Sequence, residues 1–135
     1  MKVRMKYAYP EQGTRNGRIY PPDVLEKAFN EPAFKEACEN IELPIVSEDN
    51  HLIGMGTAWL EDGRVVTIDG EISHPTYVKL LNDYKDKAVF TFTLYGTGAV
   101  EHTDDKAVVT EVKFLSAMFT PHPAVDICSV ELEEG

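Results

Sequence analysis

The clearest indication of the fold comes from the segment at residues 52–72, LIGMGTAWLEDGRVVTIDGEI. Two mainly apolar runs, residues 52–60 and 65–72, flank the turn sequence Glu61-Asp62-Gly63. An Asp-Gly step between two such runs is a strong hairpin signal, because tight hairpin turns need residues that tolerate positive φ. The sequence therefore predicts an antiparallel pair of strands in the middle of the chain.

Further strands are predicted on both sides of this hairpin. From Lys2 to Tyr9, apolar residues alternate with mostly charged ones, and this period of two is typical of a half-buried strand. The other predicted strands are residues 43–46, 88–100, 107–119 and about 127–132, with a polar turn at 102–105 between the two long runs.

Three short helices are predicted between the strands. The first begins at Pro21-Pro22, the second has Asn30 as its cap and Pro32 in its first turn, and the third runs from Thr76 to about Tyr84. Six or seven strands with three helices predict an α+β fold. We expect a small, mostly antiparallel curled sheet or β-barrel with peripheral helices, in a single domain spanning residues 1–135.

Charge and composition exclude several classes of protein. The net charge of −10 argues against a nucleic-acid binder, which needs a basic surface to neutralise phosphates. The charge is uneven, since residues 1–35 carry net +3 and residues 36–135 carry net −13. No apolar stretch approaches the roughly 20 residues of a membrane helix, so no membrane association is predicted. The first residues lack the apolar centre of a signal peptide.

No cofactor or metal is predicted. The glycine pairs at residues 54–56 and 96–98 lack the following helix that would let them hold a pyrophosphate, and strand glycines are typical of bulges. The residues with ligand-like side chains at close spacing are Asp69, Glu71 and His74, which are too few for a specific metal signal. Cys38 and Cys128 are far apart and are expected to be reduced thiols.

Four segments carry a family resemblance. They are Asn16–Ala28 (NGRIYPPDVLEKA), Asn50–Gly54 (NHLIG), Thr93–Gly98 (TLYGTG) and Phe114–Ala124 (FLSAMFTPHPA). In this order they resemble the conserved segments of bacteriophage prohead proteases, the enzymes of capsid maturation, over most of residues 14–125. The resemblance implies a small β-barrel with surrounding helices, related to herpesvirus assemblin.

The resemblance also implies positions for a catalytic site. His51 matches the histidine base, and Thr93 stands at the position of the serine nucleophile, while Ser116 on the next strand offers another hydroxyl. His122 follows in an order similar to the second histidine of assemblin. The extra methyl of threonine crowds attack and restricts χ1, so a degraded nucleophile site is predicted.

The favoured hypothesis is therefore a non-catalytic phage or prophage protein that acts by binding, in a capsid-associated or assembly-regulating role. The expected partner is a capsid or scaffold protein, and the expected place is the host cytoplasm or the virion. The candidate binding surface is the loop bearing Arg15, Asn16, Arg18 and Tyr20. Its two guanidinium groups suit carboxylate or phosphate, and the tyrosine offers a stacking face.

Two other functions remain open from the sequence. One is an active serine-type maturation protease, with His51 as base, Thr93 or Ser116 as nucleophile, and His122 or a carboxylate as the orienting group. The other is a binder of a small anionic, nucleotide-like ligand, held by the two arginines of the loop. Pairing between copies through the first or last strand, as sheet edges, would give a homo-oligomer.

Overall fold

The computed structural model describes residues 1–84, 91–103 and 105–133, which contain eight strands and three helices. The strands are β1 (Lys2–Ala8), β2 (Arg18–Ile19), β3 (Leu43–Val46), β4 (Leu52–Glu61), β5 (Val65–Ile72), β6 (Thr91–Thr103), β7 (Lys106–Thr120) and β8 (Asp126–Glu133). The helices are α1 (Pro22–Phe29), α2 (Pro32–Glu39) and α3 (Pro75–Tyr84). Within these ranges no helix has the length and apolar character that crossing a membrane requires.

The strands form one strongly curled sheet, a half-barrel, and the α+β class is confirmed. Along the sheet the order is β2-β7-β3-β4-β5-β1-β8, and β6 pairs with β7 along nearly its whole length. The expectation of a mostly antiparallel sheet needs correction, because β2 and β3 both run parallel to β7 and make the sheet mixed. These parallel neighbours are far apart in sequence, and no local turn signal announces such a pairing.

Most local predictions agree with the structure. The β4–β5 hairpin forms at the predicted turn, where Asp62 and Gly63 have φ values of 51° and 77°. The predicted cap of α2 is wrong: the Glu31 carboxylate accepts hydrogen bonds from the Ala33 and Phe34 amides, at 3.1 and 3.3 Å. Asn30 instead ends α1, since its side-chain amide donates to the Glu26 carbonyl.

The long hairpin of β6 and β7 differs from its predicted limits. Strand β6 continues to Thr103, so the first half of the predicted turn at 102–105 is strand. Position 104 in that turn lies outside the described residues, as do positions 88–90 of the predicted strand start. Strand β2 was not predicted, because two residues carry no periodic pattern.

The concave face of the sheet holds the core, and side chains of β1 close it against β6. Leu94 on β6 donates its backbone amide to the Tyr7 hydroxyl at 3.1 Å, and the Phe92 amide points at the Met5 sulfur at 3.0 Å. The Tyr7 hydroxyl also lies 3.2 Å from that of Tyr9. The edge of β6 that faces away from β7 is therefore satisfied here by buried side chains rather than by another strand.

Two of the helices pack against the other side of β7. Phe29 of α1, Phe34 of α2 and Phe114 of β7 form an aromatic cluster with ring centroids 5.3–5.9 Å apart. Tilted and edge-on contacts of this kind add to the stabilisation that apolar burial provides. The cluster fixes α1 and α2 beside the part of β4 that extends past the first residue of β3, Leu43.

Replacing Tyr7 tests the closure of the half-barrel. In Tyr7→Phe the Leu94 amide and the Tyr9 hydroxyl lose a buried partner, so the free energy of unfolding should fall by about 1–3 kcal/mol. Urea unfolding measures it, with Tyr95→Phe as the control, because Tyr95 is 48% exposed and outside this network. Equal stability of Tyr7→Phe and the parent would contradict the assigned role.

The same tyrosines predict a loss of stability in alkali. Burial raises the pKa of Tyr7 and of Tyr9 above the ordinary value of about 10. Because the folded pKa is the higher one, the unfolded chain ionises first, and the free energy of unfolding should decrease as pH rises above about 10. Urea midpoints from about pH 8 to pH 11 test this, and the decrease should be smaller in Tyr9→Phe than in Tyr95→Phe.

Candidate functional site

The strand register locates the predicted catalytic positions. Thr93 lies opposite Met118 on β7, Met118 lies beside Val46 on β3, and Val46 lies opposite Leu52 on β4. These residues form one row across four adjacent strands, on the face opposite the concave core. Strands in a sheet are about 4.8 Å apart, so the start of β4 and Thr93 are separated by roughly 14 Å.

His51 immediately precedes β4, in the turn from β3. Its backbone is fixed by Ser47, whose hydroxyl accepts from the His51 amide at 3.1 Å and whose amide donates to the His51 carbonyl at 2.9 Å. The imidazole is exposed, and within the described part of the chain it makes no side-chain hydrogen bond. The turn therefore presents the histidine to solvent rather than to a hydroxyl.

The second hydroxyl is also remote from this histidine. Ser116 is buried on β7 opposite Tyr95, and two strand spacings separate β7 from β4. His51 is also displaced from Ser116 along the strand direction. Leu52 is level with Met118, so His51 lies about three residues beyond Ser116, and this offset adds to the separation. The structure does not bring Ser116 and His51 together.

His122 lies in the turn after β7, with its side chain exposed and its amide donating to the Thr120 hydroxyl at 3.1 Å. A hydroxyl nucleophile needs a base within about 3 Å and a third group that orients the base. Among the described residues, no hydrogen bond joins His51 to Thr93, Ser116 or His122. The four predicted residues are thus distributed over one end of the sheet without forming a relay.

The acidic and histidine side chains considered as metal ligands do not converge either. Asp69 forms an ion pair with Arg4 at 2.9 Å, while the His74 ring makes an edge-on contact with Tyr77. The described ranges contain no group of three potential ligands close enough to hold a metal ion.

The loop predicted to bind a partner is partly anchored to the protein itself. The Arg15 guanidinium donates to the Pro123 carbonyl at 3.1 Å, and the Tyr20 ring packs on Tyr9 with centroids 4.6 Å apart. Asn16 accepts a hydrogen bond from the Thr14 hydroxyl. Arg18 is exposed, and its guanidinium makes no hydrogen bond or ion pair with any described residue.

A groove that the sequence did not predict lies between α1, α2 and β4. Its volume is about 600 Å³. The lining residues are Pro22, Glu26, Phe29, Asn30, Lys35, Cys38, Glu39, Thr57, Ala58, Trp59, Leu60 and Gly63. The sequence feature that could have indicated this groove is the difference in strand length. A four-residue β3 beside a ten-residue β4 leaves part of β4 without a neighbouring strand.

The groove contains the single tryptophan of the chain and one of its two cysteines. The Trp59 indole donates to the Glu61 carboxylate at 2.9 Å, and this bond holds the pKa of Glu61 below its usual value. The Arg4 guanidinium lies 5.7 Å from the centre of the indole ring. Partial burial raises the pKa of the Cys38 thiol, so the thiol is protonated at neutral pH.

Comparison with known proteins shows which fold the chain shares. No protein-family model matches the chain, and no curated protein matches it. Among solved structures, the chain is similar to the bacteriophage T4 capsid assembly protease, gp21, with a TM-score of 0.63 and 16% sequence identity. The match covers 92% of this chain and 79% of that chain. The sequence resemblance is thereby confirmed at the level of the fold: this protein has the fold of a phage prohead protease.

Proposed function

We propose that this protein is a non-catalytic phage or prophage protein that uses a prohead-protease-like fold to bind a capsid or scaffold protein. The observation that carries the proposal is the strand register, which separates Thr93 on β6 from the start of β4, after His51, by three strand spacings, or roughly 14 Å along the sheet. The similarity to a capsid assembly protease supports the phage context. In this proposal the protein acts in the host cytoplasm or on the virion.

The chemistry of peptide hydrolysis explains why the separation matters. A threonine or serine hydroxyl is a weak nucleophile until a base removes its proton, which requires a direct hydrogen bond. Thr93 also carries a methyl group that restricts its χ1. A fold is retained when its original chemistry is lost, because the core and the surface do not depend on the nucleophile.

Arg18 is the residue of the loop best suited to contact a partner. Its guanidinium offers forked donors for a carboxylate, and it is exposed. Arg15 and Tyr20, by contrast, attach the loop to the rest of the protein. We therefore assign partner binding to Arg18 and anchoring of the loop to Arg15 and Tyr20.

Covalent labelling tests the lack of catalysis. The protein is treated with a serine-directed phosphonofluoridate and its intact mass is measured, with His51→Ala in parallel and an active serine protease as the reagent control. We expect no adduct on the folded protein, because neither Thr93 nor Ser116 is activated. A stoichiometric adduct on one of these residues, absent from His51→Ala, would show a working nucleophile and overturn the proposal.

Matched arginine variants test the binding surface. Arg15→Ala should lower the free energy of unfolding by about 0.5–1.5 kcal/mol, because the bond to the Pro123 carbonyl is lost. Arg18→Ala should change it by less than about 0.5 kcal/mol and should weaken association with the capsid or scaffold protein of the same phage. Urea unfolding and calorimetric titration provide the two measurements. Unchanged association in Arg18→Ala would exclude this surface.

A further inference from the structure

The groove beside β4 exposes a strand edge that the described chain does not pair. Strand β3 pairs with β4 only through Leu43–Val46, opposite residues 52–56. Residues 57–61 of β4 pair with β5 on their other side. Beyond these ladders, the backbone hydrogen bonds of the described residues include none from residues 57–61. An uncovered edge of this kind is a template for an additional strand.

The position of a proline identifies which backbone groups face the groove. Pro44 of β3 lies opposite Met55 and has no amide hydrogen to donate, so these two residues form a non-hydrogen-bonded pair. Hydrogen-bonded and non-hydrogen-bonded pairs alternate along an antiparallel ladder. The backbone groups of Gly54 and Gly56 therefore point towards β3. Because the pattern repeats every two residues, the backbone groups of Ala58 and Leu60 point to the same edge. These two residues line the groove.

One of these groups is already engaged. Ala58 is buried, and its backbone forms a hydrogen bond with the Cys38 thiol, so α2 covers the β4 edge at this residue. The amide and the carbonyl of the partly buried Leu60 remain on the uncovered part of the edge. An extended segment lying there would find one donor and one acceptor at Leu60, together with the apolar surfaces of Trp59 and Phe29.

Charge distinguishes between possible occupants. The lining carries two carboxylates, Glu26 and Glu39, against one ammonium, Lys35, and the whole chain has a net charge of −10. A cationic segment is attracted to such a site and an anionic one is repelled. A second copy of this chain is disfavoured as the occupant, because its edge strand β8 contributes carboxylates such as Glu131 and Glu133.

We propose that the groove binds an extended segment of a partner protein that carries lysine or arginine and that pairs with the β4 edge at Leu60. This inference deepens the proposed binding function by naming the surface and the chemistry of the segment. It rests on that function only for the identity of the partner. Its test uses synthetic peptides and no phage protein, so failure of the groove and failure of the capsid-binding proposal are separate results.

Trp59 provides the readout, because it is the single tryptophan and lines the groove. The probe is an eight-residue peptide of alternating valine and lysine, titrated against the whole protein while tryptophan emission is recorded. The first control has the same sequence with N-methyl groups on alternate amides, in both registers. It keeps the charge but cannot pair with a strand, and it should bind about tenfold more weakly or worse. The second control replaces lysine by glutamate and should not bind.

Matched charge variants on α2 test the location. Glu39→Lys should weaken binding of the valine–lysine peptide about fivefold, because Glu39 lines the groove. Glu36→Lys makes the same change of charge on an exposed residue of α2 that does not line the groove, and it should leave binding within about twofold. Equal effects of the two variants would mean that only overall charge attracts the peptide, and would overturn the proposal.

The cysteines give a second test. A bulky maleimide on Cys38, in a Cys128→Ser background, should abolish binding of the peptide, whereas modification of the exposed Cys128 in Cys38→Ser should not. Equal binding of the N-methylated peptides would indicate an apolar pocket without strand pairing and would overturn the proposal. A dimer in sedimentation that dissociates on Cys38 modification would also overturn it, by assigning the groove to a second copy.

Discussion

The fold depends on how an incomplete barrel satisfies the open edge of β6. A closed barrel pairs every strand, whereas this half-barrel ends at β6 on one side and at β8 on the other. At the buried part of β6, the Leu94 amide is satisfied by the Tyr7 hydroxyl and the Phe92 amide by the Met5 sulfur. Without these acceptors, two backbone donors would be buried unpaired, which is costly. The side chains of β1 thus replace a strand.

Local patterns predicted much of this structure because they report local physics. The Asp62-Gly63 turn tolerates positive φ, and the alternation in β1 separates a buried face from a charged one, so both elements appear where they were predicted. The parallel contact between β3 and β7 was not predictable in this way, since it joins residues about 70 positions apart and depends on the whole sheet. The Tyr7–Leu94 hydrogen bond could not be predicted from the sequence for the same reason.

The candidate sites were also predictable only in the features that depend on local sequence. The sequence resemblance correctly indicated the fold, because the order of segments along the chain follows the order of strands and helices. It could not give the distance between His51 and Thr93, which is set by the two strands that lie between them. The groove beside β4 arises where one strand is shorter than its neighbour and where an aromatic cluster fixes α1 and α2 beside the longer one. Its lining residues come from α1, α2, β4 and the adjoining residues Asn30 and Gly63, and they share no motif.

The place of β1 in the sheet has a consequence for synthesis on the ribosome. This strand emerges before its neighbours on both sides, because its partners lie 57–69 residues later in β5 and 118–131 residues later in β8. Until then, its buried side chains, among them Met5 and Tyr7, have no native surface to cover them. Contacts of such long sequence separation are slow to form and leave apolar strands exposed to other chains. The apolar face of β1 therefore stays open to contacts with other chains until β8 has left the ribosome.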